Sequence, residues 1–270
     1  MPRGRARTGL FTRGVAGLSG VAGAHARCDR GGGGPLSMRV RGACYLAPVK
    51  LSVVIPALDE ARWIAGAVAS VAATADEVFV VDGGSSDGTP ERAQAAGARV
   101  LSSPPGRSRQ LGVGAEAASG DVVVFLHADT CLAEGWDRLL RRALVDPAVA
   151  GGAFRFRLDD RAWQLRWLEW GTWLRVAVLS LPYGDQAIFV RRAVLEAIGG
   201  VPQAPIMEDL DLVKRMRRHG RLARLPLPAT TSARRYREAG ALRTSFRHVV
   251  AAVAWALGRN RDQIAAWVRR

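Results

Sequence analysis

Residues 122–126 (VVVFL) form an unbroken apolar run between Asp121 and His127-Ala128-Asp129-Thr130. A run without polar alternation suits a strand covered on both faces, as in a parallel sheet. Two similar runs come earlier. Residues 51–55 (LSVVI) predict a first strand that Pro56 ends, and residues 77–81 (EVFVV) a second that closes on Asp82. A helix is expected from Asp59-Glu60 through about residue 72. After Asp82 the stretch GGSSDGTP supplies a turn with several positive-φ options and a capped helix start. A short third strand at 98–101 and a helix at 106–118 complete a β-α-β-α-β-α-β order. That order predicts an α/β fold: a mostly parallel central sheet with helices on both faces.

The second half is less regular. Periodicity predicts helices at 134–144, 192–198 and 208–219 and strands at 151–158 and 188–190. Short strands are expected at 222–225 and 229–233, and an amphipathic helical region from about residue 242. Residues 161–179 read as a helix crowded with Trp163, Trp167, Trp170 and Trp173. The expectation for that helix is a buried packing face. The alternative is a stripe lying against a membrane surface or an acceptor.

Composition narrows the class. With 270 residues, 49% of them apolar, the chain can build one large α/β domain or two small ones, and global disorder is excluded. Residues 1–47 stand apart: eight arginines face Asp29 alone, glycine fills 31–34, and no hydrophobic period lasts. They read as a disordered basic tail, with Met38 as an alternative start. The three cysteines, Cys28, Cys44 and Cys131, have no metal-ligand spacing, so free thiols are expected. No stretch reaches the ~20 apolar residues of a membrane span. The net charge of +15 is carried almost wholly by arginine, since Lys50 and Lys214 are the only lysines. Such a surface points to phosphorylated ligands, anionic lipid or nucleic acid. It is also what a GC-rich genome writes. Residues 50–240 hold no helix-turn-helix, zinc or RNA-recognition motif, so no specific nucleic-acid partner is expected.

In open α/β sheets ligands sit beyond the carboxyl ends of the strands. Asp59 with Glu60, Asp82 and Asp129 each follow a predicted strand, so their carboxylates would converge over one cleft; taken singly, Asp59, Glu60 and Asp82 suit turn or cap chemistry instead. His127 and Asp129, two apart in an extended segment, would share a side and suit a divalent cation holding a diphosphate. The simpler alternative makes Asp129 the cap of a following helix. Asp82 suits a ribose or a base, and Arg107 and Arg109 at a helix start suit a diphosphate, unless they are simply solvated. Glu208-Asp209 either caps its helix or supplies a general base. The run TTSARRY at 230–236 offers cations and hydroxyls to a leaving diphosphate.

Taken in order, the blocks SVVIPALDE, VVDGGSSDGT, FLHADT, PYGDQ, MEDLDL and TSARRY resemble family-2 glycosyltransferases, in particular the bacterial arsenosugar-biosynthesis-type branch. The resemblance runs from about residue 50 to the C terminus. It implies a GT-A fold in one domain at 48–270: a Rossmann-like nucleotide-binding half at 48–130, an acceptor half at 131–240 and a C-terminal helical region at 241–270. It implies a nucleotide-diphospho-sugar donor held by Pro56, Ala57, Asp59, Glu60, Asp82, Ser85, Arg109 and Ala128, with Arg234 and Arg235 at the leaving diphosphate. Asp129, with His127, would hold a divalent cation, Mn²⁺ or Mg²⁺. Asp209 would be the base of an inverting displacement, with Glu208 beside it, and the acceptor a hydroxyl, a lipid-linked one among the candidates. Histidine stands where the family's Asp-x-Asp motif has its first carboxylate; a neutral imidazole can ligate Mn²⁺ but carries no balancing charge. The Gln-x-x-Arg-Trp motif of processive members is absent, which argues against a polysaccharide synthase. A cytoplasmic protein is expected, or one peripheral at the inner face of the membrane. The competing readings are a nucleotidyltransferase, which would want a basic glycine-rich loop where Pro56–Glu60 is acidic, and a basic nucleic-acid-binding or peripheral membrane protein.

Overall fold

The first half of the chain winds as its apolar runs predict. β1 (Leu51–Ala57), α1 (Ile64–Ala72), β2 (Glu77–Asp82), α2 (Thr89–Ala95), β3 (Arg99–Ser102), α3 (Arg107–Ala117) and β4 (Val122–Phe125) follow in order. The computed structural model describes residues 49–160, 162–179 and 181–269, so the expected tail at 1–47 lies outside the described residues. Parallel pairing joins β1 to β2 and β4, and β2 to β3. All seven β1 residues are buried, and successive side chains go to opposite faces. Leu51, Val53 and Ile55 pack with Ile64 and Val68 of α1, while Val54 packs with Leu111 and Ala115 of α3. The chain runs outward through β2 and β3, then returns to the other side of β1 at β4. The crevice between β1 and β4 is therefore a topological switch point.

β1 does not stop at Pro56. Val54 turns its carbonyl to Leu126 (3.0 Å), and Pro56, two residues on, faces the same side beyond the end of β4. Its missing N–H therefore forfeits no ladder bond, and the strand runs on to pair Ala57 with Asp82.

The second half continues with β5 (Thr130–Leu132), α4 (Trp136–Ala143), β6 (Val149–Leu158), α5 (Trp163–Leu179), β7 (Ile188–Arg191), α6 (Arg192–Ala197), α7 (Glu208–Met216), β8 (Arg221–Thr231), α8 (Arg234–Ala239), α9 (Ala241–Ala256) and α10 (Arg261–Arg269). The eight strands form one sheet in the order β3-β2-β1-β4-β7-β6-β8-β5. β7 is antiparallel to β4 and β6, β8 is parallel to β6, and β5 is antiparallel to β8. Three expectations change here. Asp129 leads into a strand rather than capping a helix. The two short strands expected at 222–225 and 229–233 are one strand, since a bulge between Phe154 and Arg155 pairings absorbs Pro226 and Leu227. The tryptophans of α5 are exposed; the buried side of that helix is Leu165 and Val176. Helical spacing alone cannot tell the two faces apart when both are apolar. Among the described residues no helix is long and apolar enough to cross a membrane.

Candidate active site

Beyond β4 the chain is pinned from two sides. Thr130 donates its N–H to the His127 carbonyl (3.1 Å), and Ser232 donates to the Asp129 carbonyl (3.0 Å). β5 pairs with the end of β8, Thr130 facing Thr231 with their hydroxyls 2.8 Å apart. That pairing carries residues 232–235 to the rim where β4 ends. Arg234 bridges two carboxylates there: it pairs with Glu60 and lies 3.5 Å from Asp129. Asp129 is 7% exposed, so its charge is answered mainly by protein.

A second acidic group comes from α7. Met207, at φ 62°, turns the chain so that Glu208 and Asp209 open the helix, where the dipole favours carboxylates. Arg107, the first residue of α3, pairs with Glu208, lies 3.6 Å from Asp209 and approaches His127 Nε2 to 3.3 Å. Asp209 accepts further hydrogen bonds from the N–H groups of Gly184 (2.7 Å) and Leu210 (2.9 Å). Gly184 is needed for that approach: a Cβ on it would stand 2.9 Å from His127 Nε2 and 3.3 Å from Asp209 Oδ2. Desolvation pushes the His127 imidazole well below its ordinary pKa, and the Arg107 and Arg235 guanidiniums push the same way. It is therefore neutral, and its Nε2 lone pair faces the Arg107 guanidinium.

These groups line one cavity of about 700 Å³. Of the expected site residues, Arg107, Arg109, His127, Asp129, Glu208, Asp209 and Arg235 face it. Pro56, Ala57, Asp59, Glu60, Asp82, Ser85, Ala128 and Arg234 are not in its wall. Asp129, Glu208 and Asp209 share this cavity, and Glu60 is tied to Asp129 through Arg234. Asp82 spends its carboxylate on its own turn, accepting from Gly84 N–H (2.9 Å), Ser85 N–H (3.0 Å) and Ser85 Oγ (2.5 Å). Asp59 ties the same loop, receiving Ser86 N–H (2.9 Å) while its own N–H reaches Ser85 Oγ (2.9 Å). The two loops after β1 and β2 brace each other at the β1 edge of the switch point.

The wall also holds Tyr236, from the run expected to offer hydroxyls, and Tyr183, Asp185 and His248, which had no expected role. Asp185 lies in a 3₁₀ turn, Gly184–Gln186, ahead of β7. Desolvation, only partly offset by Arg175, pushes its carboxyl up to about 6, and its Oδ1 is buried without a partner among the described residues. The block PYGDQ was its signal. A search for acids at the ends of apolar strands misses it because it precedes its strand.

A mixed α/β sheet wound 3-2-1-4 at its core, with a cavity beyond the carboxyl ends that acids and arginines line, is the GT-A architecture of nucleotide-sugar-dependent transferases. The chain belongs to glycosyl transferase family 2, whose model matches residues 52–192. It is similar to the glucosyl-3-phosphoglycerate synthases of Mycolicibacterium paratuberculosis (40% identical over 92 residues) and Mycobacterium tuberculosis (39% over 92). Each match covers 29% of this chain and 28% of the relative, so it spans well under half of those proteins. The fold likeness is longer. A crystal structure of the M. tuberculosis synthase with Mg²⁺ and uridine diphosphate superposes with a TM-score of 0.59 at 27% identity, over 79% of this chain and 81% of that one. The same enzyme with Mn²⁺, UDP-glucose and phosphoglyceric acid gives 0.59 at 26%, over 79% and 82%.

Proposed function

We propose that this protein moves a sugar from a nucleotide-diphospho-sugar to an acceptor hydroxyl by a single in-line displacement with inversion. The observation that carries the reading is the placement of Asp209. Two backbone N–H groups fix its carboxylate on the wall of the cavity that Asp129 and Arg109 also line. Asp209 takes the proton of the attacking hydroxyl. Glu208, held by Arg107, keeps that arginine in place beside it. Arg235 and Arg109 offer cationic hydrogen bonds to the departing diphosphate, the electrostatic work that dominates such transfers. Arg234 keeps the Asp129 carboxylate aimed. The braced loops around Pro56, Ala57, Asp59, Glu60, Asp82 and Ser85 frame the nucleotide, and Ala128 leaves room between the two metal-side residues.

The residues present fit a divalent cation. Among the described residues no three His, Cys, Asp or Glu side chains form a cage, but Mg²⁺ sites commonly use one or two carboxylates plus substrate phosphates. Asp129 and the neutral His127 are the donors that would hold it, near the orphaned oxygen of Asp185. Held by these residues, a cation would supply positive charge to the leaving diphosphate.

UDP-glucose, the donor bound by the M. tuberculosis relative, is the first to test, beside GDP-, ADP- and dTDP-sugars with and without Mn²⁺. A true donor at ~100 Kd stabilises the protein by roughly 2.7 kcal/mol, readable as a thermal shift. Asp209→Asn should keep that shift and lose ~10²-fold or more in turnover. Normal turnover in D209N removes Asp209 from the role.

A further inference from the structure

Two helices that touch each other, α5 and α9, each bury one side and leave the other bare. On α5 the positions 163, 167, 170, 174 and 178 recur at helical spacing, and all are large and apolar. Its four tryptophans, Trp163, Trp167, Trp170 and Trp173, are 54 to 68% exposed. On α9 the stripe is Phe246, Val249, Val253 and Leu257, 52 to 70% exposed. The inner side of α9 is already in use, since Thr244, His248 and Ala251 line the cavity. Ten large apolar side chains in the open on two contacting helices exceed the scattered exposure normal for a surface.

We infer that this face docks on an anionic lipid surface. The charge pattern chooses the occupant. α9 carries Arg243 and Arg247 and no acid; of the arginines nearby, Arg234, Arg237 and Arg261 already pair with Glu60, Asp160 and Asp211, and Arg235 lines the cavity. Arg166, beside the tryptophans, pairs with Glu169 (3.2 Å), while Arg259 follows α9 and adds to Arg243 and Arg247. Bringing two copies of such a face together sets like charges against each other, whereas anionic headgroups neutralise them. Tryptophan also favours the headgroup level, where its apolar ring and polar N–H are both satisfied. Docked so, the protein would hold one side of α9 on the membrane and the other on the reaction cavity. The inference rests on exposed side chains and is independent of the transfer reaction proposed above.

The test is co-sedimentation of the full chain with phosphatidylcholine vesicles, alone or with about one third phosphatidylglycerol, at low and high salt. The expected result is binding to the anionic vesicles only, with a blue shift of tryptophan emission. The double variant Trp167→Ser/Trp170→Ser should cut the partition coefficient by about tenfold or more, with an unchanged melting temperature and donor-induced shift. The variant leaves the basic N-terminal residues untouched, so it separates this face from them. Equal binding by variant and wild type overturns the proposal. So does a wild-type dimer in light scattering that ignores vesicles and becomes a monomer in the variant, which would make the face a contact between copies. Loss of the donor-induced shift in both proteins would count against the transferase reading alone.

Discussion

Replacing Asp185 by asparagine removes a charge from a place where the fold resists ionisation. Desolvation is the main cause; Asp209 and Asp129 add to it, while Arg175 and Arg107 oppose it, and the carboxyl ends up at about 6 against an ordinary 3.8. A folded-state pKa above the unfolded value means the native protein holds more protons between the two. Stability therefore falls as pH rises through that window and stays lower above it. The gap of about two pH units corresponds to about 3 kcal/mol, and solvent relaxation makes that a ceiling. Asparagine cannot ionise, and the orphaned Oδ1 has no hydrogen bond to lose. Urea unfolding of wild type and D185N, in EDTA, at about pH 4.5 and pH 7.5 reads the effect. The advantage of D185N over wild type should grow by about 1–3 kcal/mol from the lower pH to the higher. Groups remote from residue 185 contribute equally in the two proteins and cancel. A difference that is flat, or that shrinks with rising pH, refutes the account of Asp185 as a charge the cavity holds at a cost.

Other substitutions probe how the site is assembled. Gly184→Ala forces His127 or Asp209 aside, so turnover should fall at least about tenfold with a small change in melting temperature, read in parallel activity and unfolding assays. Arg234→Ala leaves Glu60 and Asp129 without their shared cation and should destabilise the protein by about 2 kcal/mol at neutral pH in a denaturant titration. Gly114→Ala tests the seating of α3 on the sheet: its Cβ would meet Val54 Cγ1 at 2.3 Å, so a loss of about 1–3 kcal/mol is expected by the same measurement.

Much of the nucleotide-side half was legible because its signals are local. The runs at 51–55, 77–81 and 122–126 became β1, β2 and β4 within two residues of their expected bounds. Each is buried on both faces, and that demand writes itself into consecutive residues. Pro56 misled because a proline's tolerance depends on where the neighbouring strand ends, not on its own sequence. The α5 tryptophans misled because apolar spacing reports a helix face without saying what lies against it. At the site, the legible part was the acids and arginines as types. Their pairings were not legible: Arg107 and Glu208 are 101 residues apart, and Arg234 and Glu60 are 174 apart. Asp185 stayed hidden because nothing local to it shows that a cavity wall would desolvate it.

The sequence by itself determined the strands and helices of the first half, that they stack as α/β, and which chemical groups the rim of the sheet can present. It did so through hydrophobic periodicity and turn chemistry, which act over a few residues. Only the tertiary structure decided that β5 pairs with β8, carrying Arg234 and Arg235 to Asp129, and that Gly184 closes on His127 and Asp209. It also decided that Asp82 serves its own loop while Asp129 and Asp209 share a cavity. Those outcomes depend on burial and on distances between remote segments, and both exist only once the chain has packed.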